Sequence, residues 1–97
     1  MCEGFSVCFT THARSRIERW MIEESRVLES LLKVDPVFRK LQEETKNPTE
    51  HKWDAYYPYS KKYLLRVVYV VSERLREVRV VTVHKIDIKR QSRITGE

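Results

Sequence analysis

The chain has 97 residues, 41% of them hydrophobic and 34% charged, and carries a net charge of +5. This length suits one domain, 1–97, with a single modest core over about 5–90. No apolar run approaches a membrane span and no signal-peptide stretch follows the N-terminus, so a cytoplasmic protein with no membrane partner is expected. The charge is uneven. Residues 1–60 hold nine Lys/Arg and ten Asp/Glu, whereas residues 61–97 hold ten and four. A basic surface concentrated on the C-terminal third attracts phosphate backbones or an acidic protein.

Phe5 to Thr10 is short and apolar and reads as a first strand. Cys8 within it reads as a small core residue. A Cys2–Cys8 disulfide is not expected in an intracellular protein, and the two-cysteine spacing matches no zinc motif. Thr10 or Thr11 can cap a helix. Ala13, Ile17, Trp20 and Met21 recur at helical spacing, which predicts helix 1 over Thr11 to Trp20. Glu23 and Glu24 suit the positive end of a second helix, with Val27, Leu28, Leu31 and Leu32 as its stripe. Asp35-Pro36 signals a third, burying Val37, Phe38 and Leu41 and ending before Asn47-Pro48.

His51 to Tyr59 is rich in aromatics and supplies a second strand, broken at Pro58. The stretch from Lys61 to Lys89 then places two β-branched runs around the polar segment Ser72-Glu-Arg-Leu-Arg-Glu77, a β-hairpin signature. Residues after Arg90 are polar and expected to fray. The predicted fold is α+β: an N-terminal strand and two to three helices packed on a small, mainly antiparallel four-stranded sheet. The position of the first strand in the sheet is not readable from sequence.

Phe9-Thr-Thr-His-Ala-Arg-Ser-Arg16 joins a strand to a helix, and Ile22-Glu-Glu-Ser-Arg-Val27 opens the next. The chain closes on Leu65-Arg-Val-Val-Tyr69 and Val80-Val-Thr-Val-His84. Over about residues 7–88 this resembles small bacterial and archaeal domains that begin F-T-x-H-A-x-x-R and end in a V-V-T-V-type strand, relatives of the RelE/ParE toxin superfamily. The resemblance implies a RelE-like fold, two helices against a small twisted antiparallel sheet. RelE-type members are mRNA endonucleases, ribosome-dependent or free; ParE-type members act on DNA gyrase. By residue match it carries over His12 and Arg16 from the helix motif and Arg66 from the strand motif. The chain departs by lacking any tyrosine after Tyr69 and by a longer insert, Pro36 to Ser60.

Metal-free RNA cleavage needs a base at the 2′-OH, a cation beside the phosphate and an acid for the leaving oxygen. His12 and His84 can exchange protons near neutral pH. Arg66 can clamp a phosphate. Arg16, Arg79, Lys85, Lys89 and Arg90 can hold adjoining backbone, and Tyr56 or Tyr57 can stack a base. Structural alternatives stand beside these roles: backbone bonding for His12, a surface strand position for His84, aromatic packing for residues 53–59, and for Arg66 an ion pair with Glu18, Glu77 or Asp87. Register separates them. Arg66 opposite Thr82 shares a face with His84, whereas Arg66 opposite Val83 shares one with Arg79 and Lys85.

A metal site would need His12, His51 and His84 to converge with Asp54 or Asp87, and no local spacing supports that. No serine-nucleophile motif surrounds Ser6, Ser60 or Ser72. Two glycines, Gly4 and Gly96, make no phosphate loop. The expected function is a toxin-like RNA-binding protein acting as a metal-free endoribonuclease of a toxin–antitoxin system, without metal or cofactor, with RNA or the ribosome and an antitoxin as partners. The alternative is a non-enzymatic basic module that binds an antitoxin, another protein or DNA. Exposed strand edges would allow a homodimer.

Overall fold

The computed structural model describes residues 4–42 and 48–90. In chain order the elements are β1 (Ser6–Phe9), α1 (Thr11–Arg19), α2 (Glu24–Lys33), β2 (Phe38–Gln42), β3 (Glu50–Pro58), β4 (Tyr63–Ser72) and β5 (Glu77–Asp87), closed by a 3₁₀ turn, Ile88–Arg90. The five strands form one sheet in the order β1-β5-β4-β3-β2. β1 runs parallel to β5 and the other neighbours are antiparallel. This corrects the expected four-stranded, mainly antiparallel sheet with two to three helices, and the antiparallel sheet implied by the RelE resemblance. The described sheet is five-stranded and mixed, with two α-helices. Among the described residues no helix is long and apolar enough to cross a membrane. Cys2 and the tail after Arg90 lie outside the described residues.

The missing helix is β2. Phe38–Gln42 pairs along its whole length with Lys52–Tyr56 of β3. Val37 N–H donates to the Tyr56 carbonyl at 2.7 Å, starting the ladder. Five residues are too few for apolar spacing to separate a helix from a strand. The face proposed for a helix is not a buried one, since Val37 is 48% and Leu41 44% exposed. Pairing with β3 decides the outcome, as tertiary context does for short segments.

The hairpin forms as the pattern predicts, with one irregularity. Val68 opposes Thr82 but Tyr69 opposes Val80, so Val81 is an extra residue, a β-bulge. Parity therefore flips within β5. Val78 and Val80 before the bulge, and Val83 after it, all face the core. They meet Leu65, Val67 and Tyr69 of β4 and Ala55 and Tyr57 of β3, under Ala13, Ile17, Ile22, Val27 and Leu31 from the helices.

Thr10 ties the helices to the bulge. Its N–H donates to the Val80 carbonyl at 3.0 Å and its hydroxyl to the Val81 carbonyl at 3.1 Å. The same hydroxyl accepts the Ala13 N–H at 3.0 Å, the N-cap of α1. α1 ends one residue earlier than Trp20. Ile22 N–H returns to the Ile17 carbonyl and Met21 N–H to the Glu18 carbonyl, a Schellman closure with Ile17 and Ile22 both in the core. Met21 sits at the left-handed position with φ 52° and is 78% exposed, so it is no part of a helical stripe. Cys8, expected in the core, is exposed at the edge, its thiol donating to Glu77 at 3.3 Å; burial and the Glu77 carboxylate push that thiol's pKa up.

Two stability changes follow. Met21→Gly relieves a left-handed side chain and should raise stability by about 0.5–1 kcal/mol, the gain being partly offset by the freer unfolded chain. Leu65→Ala empties a fully buried site and should cost about 2–5 kcal/mol. Urea unfolding monitored by circular dichroism measures both.

Candidate functional site

The face of the sheet turned away from the core carries a transverse row of side chains. Phe38 opposes Tyr56, Tyr56 opposes Arg66, and Arg66 opposes His84, on β2 to β5 in succession. Directly opposed residues on adjacent strands lie within side-chain reach. At the β5 end of the row stands α1. The Trp20 ring meets the His84 imidazole edge-on, with centroids 6.3 Å apart and planes at 69°. On the same helix, Arg16 Nε–H points at His12 Nε2 at 3.5 Å, a long contact.

Arg66 is the fulcrum of the row. Its Nε donates to Asp54 Oδ1 at 2.9 Å and its Nη2 to Asp54 Oδ2 at 2.7 Å, a fork-to-fork ion pair. Asp54 is buried and sits diagonally across from Arg66 on β3. The bond to Asp54 raises the arginine's pKa above its already high value and outweighs the opposing effect of burial. The guanidinium also lies 5.9 Å from the Tyr56 ring centre. Burial, then the Asp54 charge, pushes the Tyr56 phenol up. The pair uses Nε and Nη2, so Nη1 can reach a further acceptor.

His84 behaves in the opposite way. Burial lowers its pKa, and the charges of Arg66, Arg16 and His12 lower it further, against a smaller contrary pull from Asp54. The imidazole is therefore held neutral at neutral pH. Its Nε2 lies 3.2 Å from Thr82 Oγ1, which leaves Nδ1 as the second proton-exchanging atom. A neutral imidazole beside fixed cations can accept a proton, and those cations can stabilise negative charge formed next to it.

The residues singled out from sequence divide by face. Arg66 opposes His84, and the charges of Arg66, Arg16 and His12 are near enough to lower the His84 pKa. Arg66 and His84 share a face, as the first register anticipated, but Arg66 opposes His84 itself rather than Thr82. The bulge also puts Arg79 on that face, opposite Val70 and farther along β5. Tyr56 belongs to the row but is itself buried, at 7% exposure, and is not available to stack a base. Tyr57, one residue on, is 2% exposed in the core and is not available to stack a base. Lys85 opposes core residue Leu65 and lies on the helix side, its ammonium 5.4 Å from the Tyr59 ring centre and 5.8 Å from that of Tyr63. Lys89 is exposed in the 3₁₀ turn that also contains Arg90.

The ion pair of Arg66 differs from expectation. The partner of Arg66 is Asp54 rather than Glu18, Glu77 or Asp87. His51 does not join the other histidines; it opposes Val71 and lies 3.6 Å from Glu73. Among the described residues no three His, Cys, Asp or Glu side chains are placed to hold a metal ion. Trp20, Thr82 and Asp54 are the members of the site that sequence reasoning missed. Asp54 was legible as the single acid of the aromatic-rich stretch His51 to Tyr59, next to a strand with a single arginine, had the β3–β4 register been known. No protein-family model matches the chain, and no curated protein matches it.

The lowered pKa of His84 sets a sign for acid sensitivity. The unfolded chain binds this proton near the ordinary histidine value of 6.5, the folded chain only at lower pH. Stability is then fully retained above that value and falls as the pH drops below it, toward the lowered folded value. In His84→Asn the acid-side loss should shrink. Urea unfolding at intervals from about pH 7.5 to 5 reads the difference; identical slopes in the two proteins would remove His84 as its source.

Proposed function

We propose that this protein is a toxin-like RNA-binding protein that cleaves single-stranded RNA without a metal ion. Relatedness to the RelE/ParE toxins is part of the same proposal and rests on the motifs around His12, Arg66 and His84. What carries the reading is one juxtaposition: His12 and Arg16 from α1 beside Arg66 and His84 from the hairpin, with His84 kept neutral by burial and by those cations. In this reading a backbone phosphate lies over the Arg66–His84 pair. His84 takes the proton of the ribose 2′-OH, and the 2′-oxygen attacks phosphorus. The 5′-oxygen leaves with a proton supplied by His12, giving a 2′,3′-cyclic phosphate and a 5′-hydroxyl. Arg16 and the Arg66 Nη1, which Asp54 does not engage, would face the charge that develops on the phosphoryl oxygens. Trp20, exposed beside His84, offers a ring on which a neighbouring base can stack.

The test is incubation of mixed-sequence single-stranded RNA with the purified protein in EDTA. His84→Ala and His12→Ala should each lower the rate by roughly 100-fold or more, the ordinary yield of one acid–base group. Products should carry cyclic phosphate ends. Cleavage unchanged in both variants would assign the activity to a contaminant and remove the nuclease reading.

A second reading has its own observation. Arg66 is already neutralised by a buried carboxylate, as an anchor in a non-enzymatic interaction module would be. Breaking such a pair strands one charge. With Arg66 one-third exposed, Asp54→Ala should cost about 2 kcal/mol, less than a fully buried pair. If Arg66→Met lowers stability alone and leaves RNA binding and turnover intact, the anchor role is sufficient and the nuclease loses its clamp.

A further inference from the structure

The end of the β4–β5 ladder holds a second group of cations, apart from the His84 row. Lys61 and Lys62 just before β4, Tyr63 at its start, Asp87 at the end of β5, and Ile88 and Lys89 in the 3₁₀ turn that follows line a concavity of about 490 Å³. Its frame is fixed by backbone. Ile88 N–H donates to the Lys62 carbonyl at 2.9 Å, and Lys62 and Tyr63 N–H both donate to Ser60 Oγ, at 3.3 and 3.2 Å. Asp87 is the one acid on the lining, and its Oδ1 accepts the Lys89 amide at 2.9 Å. Among the described residues, none of the three lysine ammonium groups forms an ion pair or side-chain hydrogen bond. All three are exposed. Three unpaired cations around one concavity, with a single carboxylate among them, repel one another until an anion enters, and a cleft of one sign concentrates counter-ions.

We propose that this concavity is a phosphate-binding site, with Lys61, Lys62 and Lys89 as the charge contacts and Tyr63 and Ile88 as the surface for the attached nucleoside. A phosphate presents several oxygens to separate ammonium donors, which a carboxylate ligand cannot do as fully. The proposal rests on the RNA reading for the source of that phosphate. Tyr63 lies three residues from Arg66 on β4, and Asp87 three from His84 on β5, an odd offset that puts both on the helix side of the sheet, opposite the His84 row. The concavity is about 10 Å along the strands from the proposed scissile position, and the path between them turns round the open end of the β4–β5 ladder. The site would then fix backbone that has passed round that end while the His84 row acts on a phosphate farther along the strand. The same chemistry would also accept a free pyrophosphate group.

The experiment uses the whole chain and three proteins: wild type, the pocket triple Lys61→Gln/Lys62→Gln/Lys89→Gln, and a charge-matched control, Arg19→Gln/Lys33→Gln/Arg74→Gln, altered at exposed positions elsewhere. Circular dichroism verifies folding. Fluorescence anisotropy with a labelled 12-nucleotide single-stranded RNA is measured across salt, and amide shifts with sodium pyrophosphate are followed by NMR. The pocket triple should bind RNA at least 10-fold more weakly than wild type, and its log K against log salt slope should flatten by about 2, for three lost single-strand contacts. The control should stay within about 3-fold. If RNA binds but the two triples behave alike, the pocket is overturned and the RNA reading stands. If RNA does not bind, yet pyrophosphate shifts the Lys62, Tyr63 and Lys89 amides in wild type and not in the triple, the RNA reading fails and the phosphate site holds for a small ligand. If neither probe binds, both are overturned.

Discussion

Val81 is the one residue of β5 between Glu77 and Asp87 without a partner on β4, and the rest of the molecule is arranged around it. The extra residue reverses which side chains of β5 face the core. It also leaves the Val81 carbonyl for the Thr10 hydroxyl, at the point where β1 stops and α1 begins. β1 can pair with β5 only up to Val80. Beyond that the edge of β5 is flanked by α1 in place of a strand. One side of the helix then supplies Ala13 and Ile17 to the core, another brings Arg16 and His12 toward His84, and the C-cap residue Trp20 meets its ring. Without the bulge, Lys85 rather than His84 would share a face with Arg79.

The electrostatics of the row follow from that placement. Arginines from two elements converge only if the repulsion is offset, and one carboxylate does this. Asp54 takes both ends of the Arg66 fork and lies deep enough that water screens the pair poorly. The cost of drawing an arginine into an apolar strand is met by that contact. His84 bears what remains. Adding a proton there would place another cation against Arg66 and Arg16 in a half-buried setting, so the imidazole stays neutral. The neutral base and the fixed cations are thus two results of one charge distribution. A group that must accept a proton beside a phosphate needs that combination.

The hairpin was legible because β-branched runs flanked a polar turn, and α1 because Thr10 can cap and Ala13 and Ile17 fall one turn apart. The end of α1 was not. Trp20 and Met21 continue the apolar spacing, but their exposure and the Schellman closure place them past the helix. β2 was misread since Val37, Phe38 and Leu41 fit a helix period as well as a strand's in so short a segment, and only pairing with β3 separates the two. The parallel docking of β1 depends on contacts some seventy residues away in sequence, such as Thr10 with Val81. No local pattern encodes them. The site divides in the same way. His12, Arg16, Arg66 and His84 were visible as residue types in a motif, while Asp54 and Trp20 became members through register and helix packing. Tyr56 and Tyr57 show how fine that limit is, since strand alternation puts neighbouring tyrosines on opposite sides of the sheet.

What the positive charge touches says more than its total. Arg26 sits 4.5 Å from the Tyr59 ring centre and donates to the Tyr59 carbonyl at 2.6 Å; Arg39 lies 4.1 Å from Trp53; Arg14 and Arg76 cover Phe9 and Phe5. Lys85 lies over Tyr59 and Tyr63. Each such contact stabilises by about 0.5–1 kcal/mol at an exposed site and holds the cation over its ring. These side chains belong to the architecture, and a partner would have to displace an aromatic contact to recruit them. The cations beside His84 and those around the hairpin-end concavity are arranged differently. They converge, and apart from Arg66 no ring and no carboxylate among the described residues ion-pairs with or covers them. Such convergence opposes folding unless something is gained by it, and an anionic strand passing round the open end of the β4–β5 ladder would meet both groups in turn.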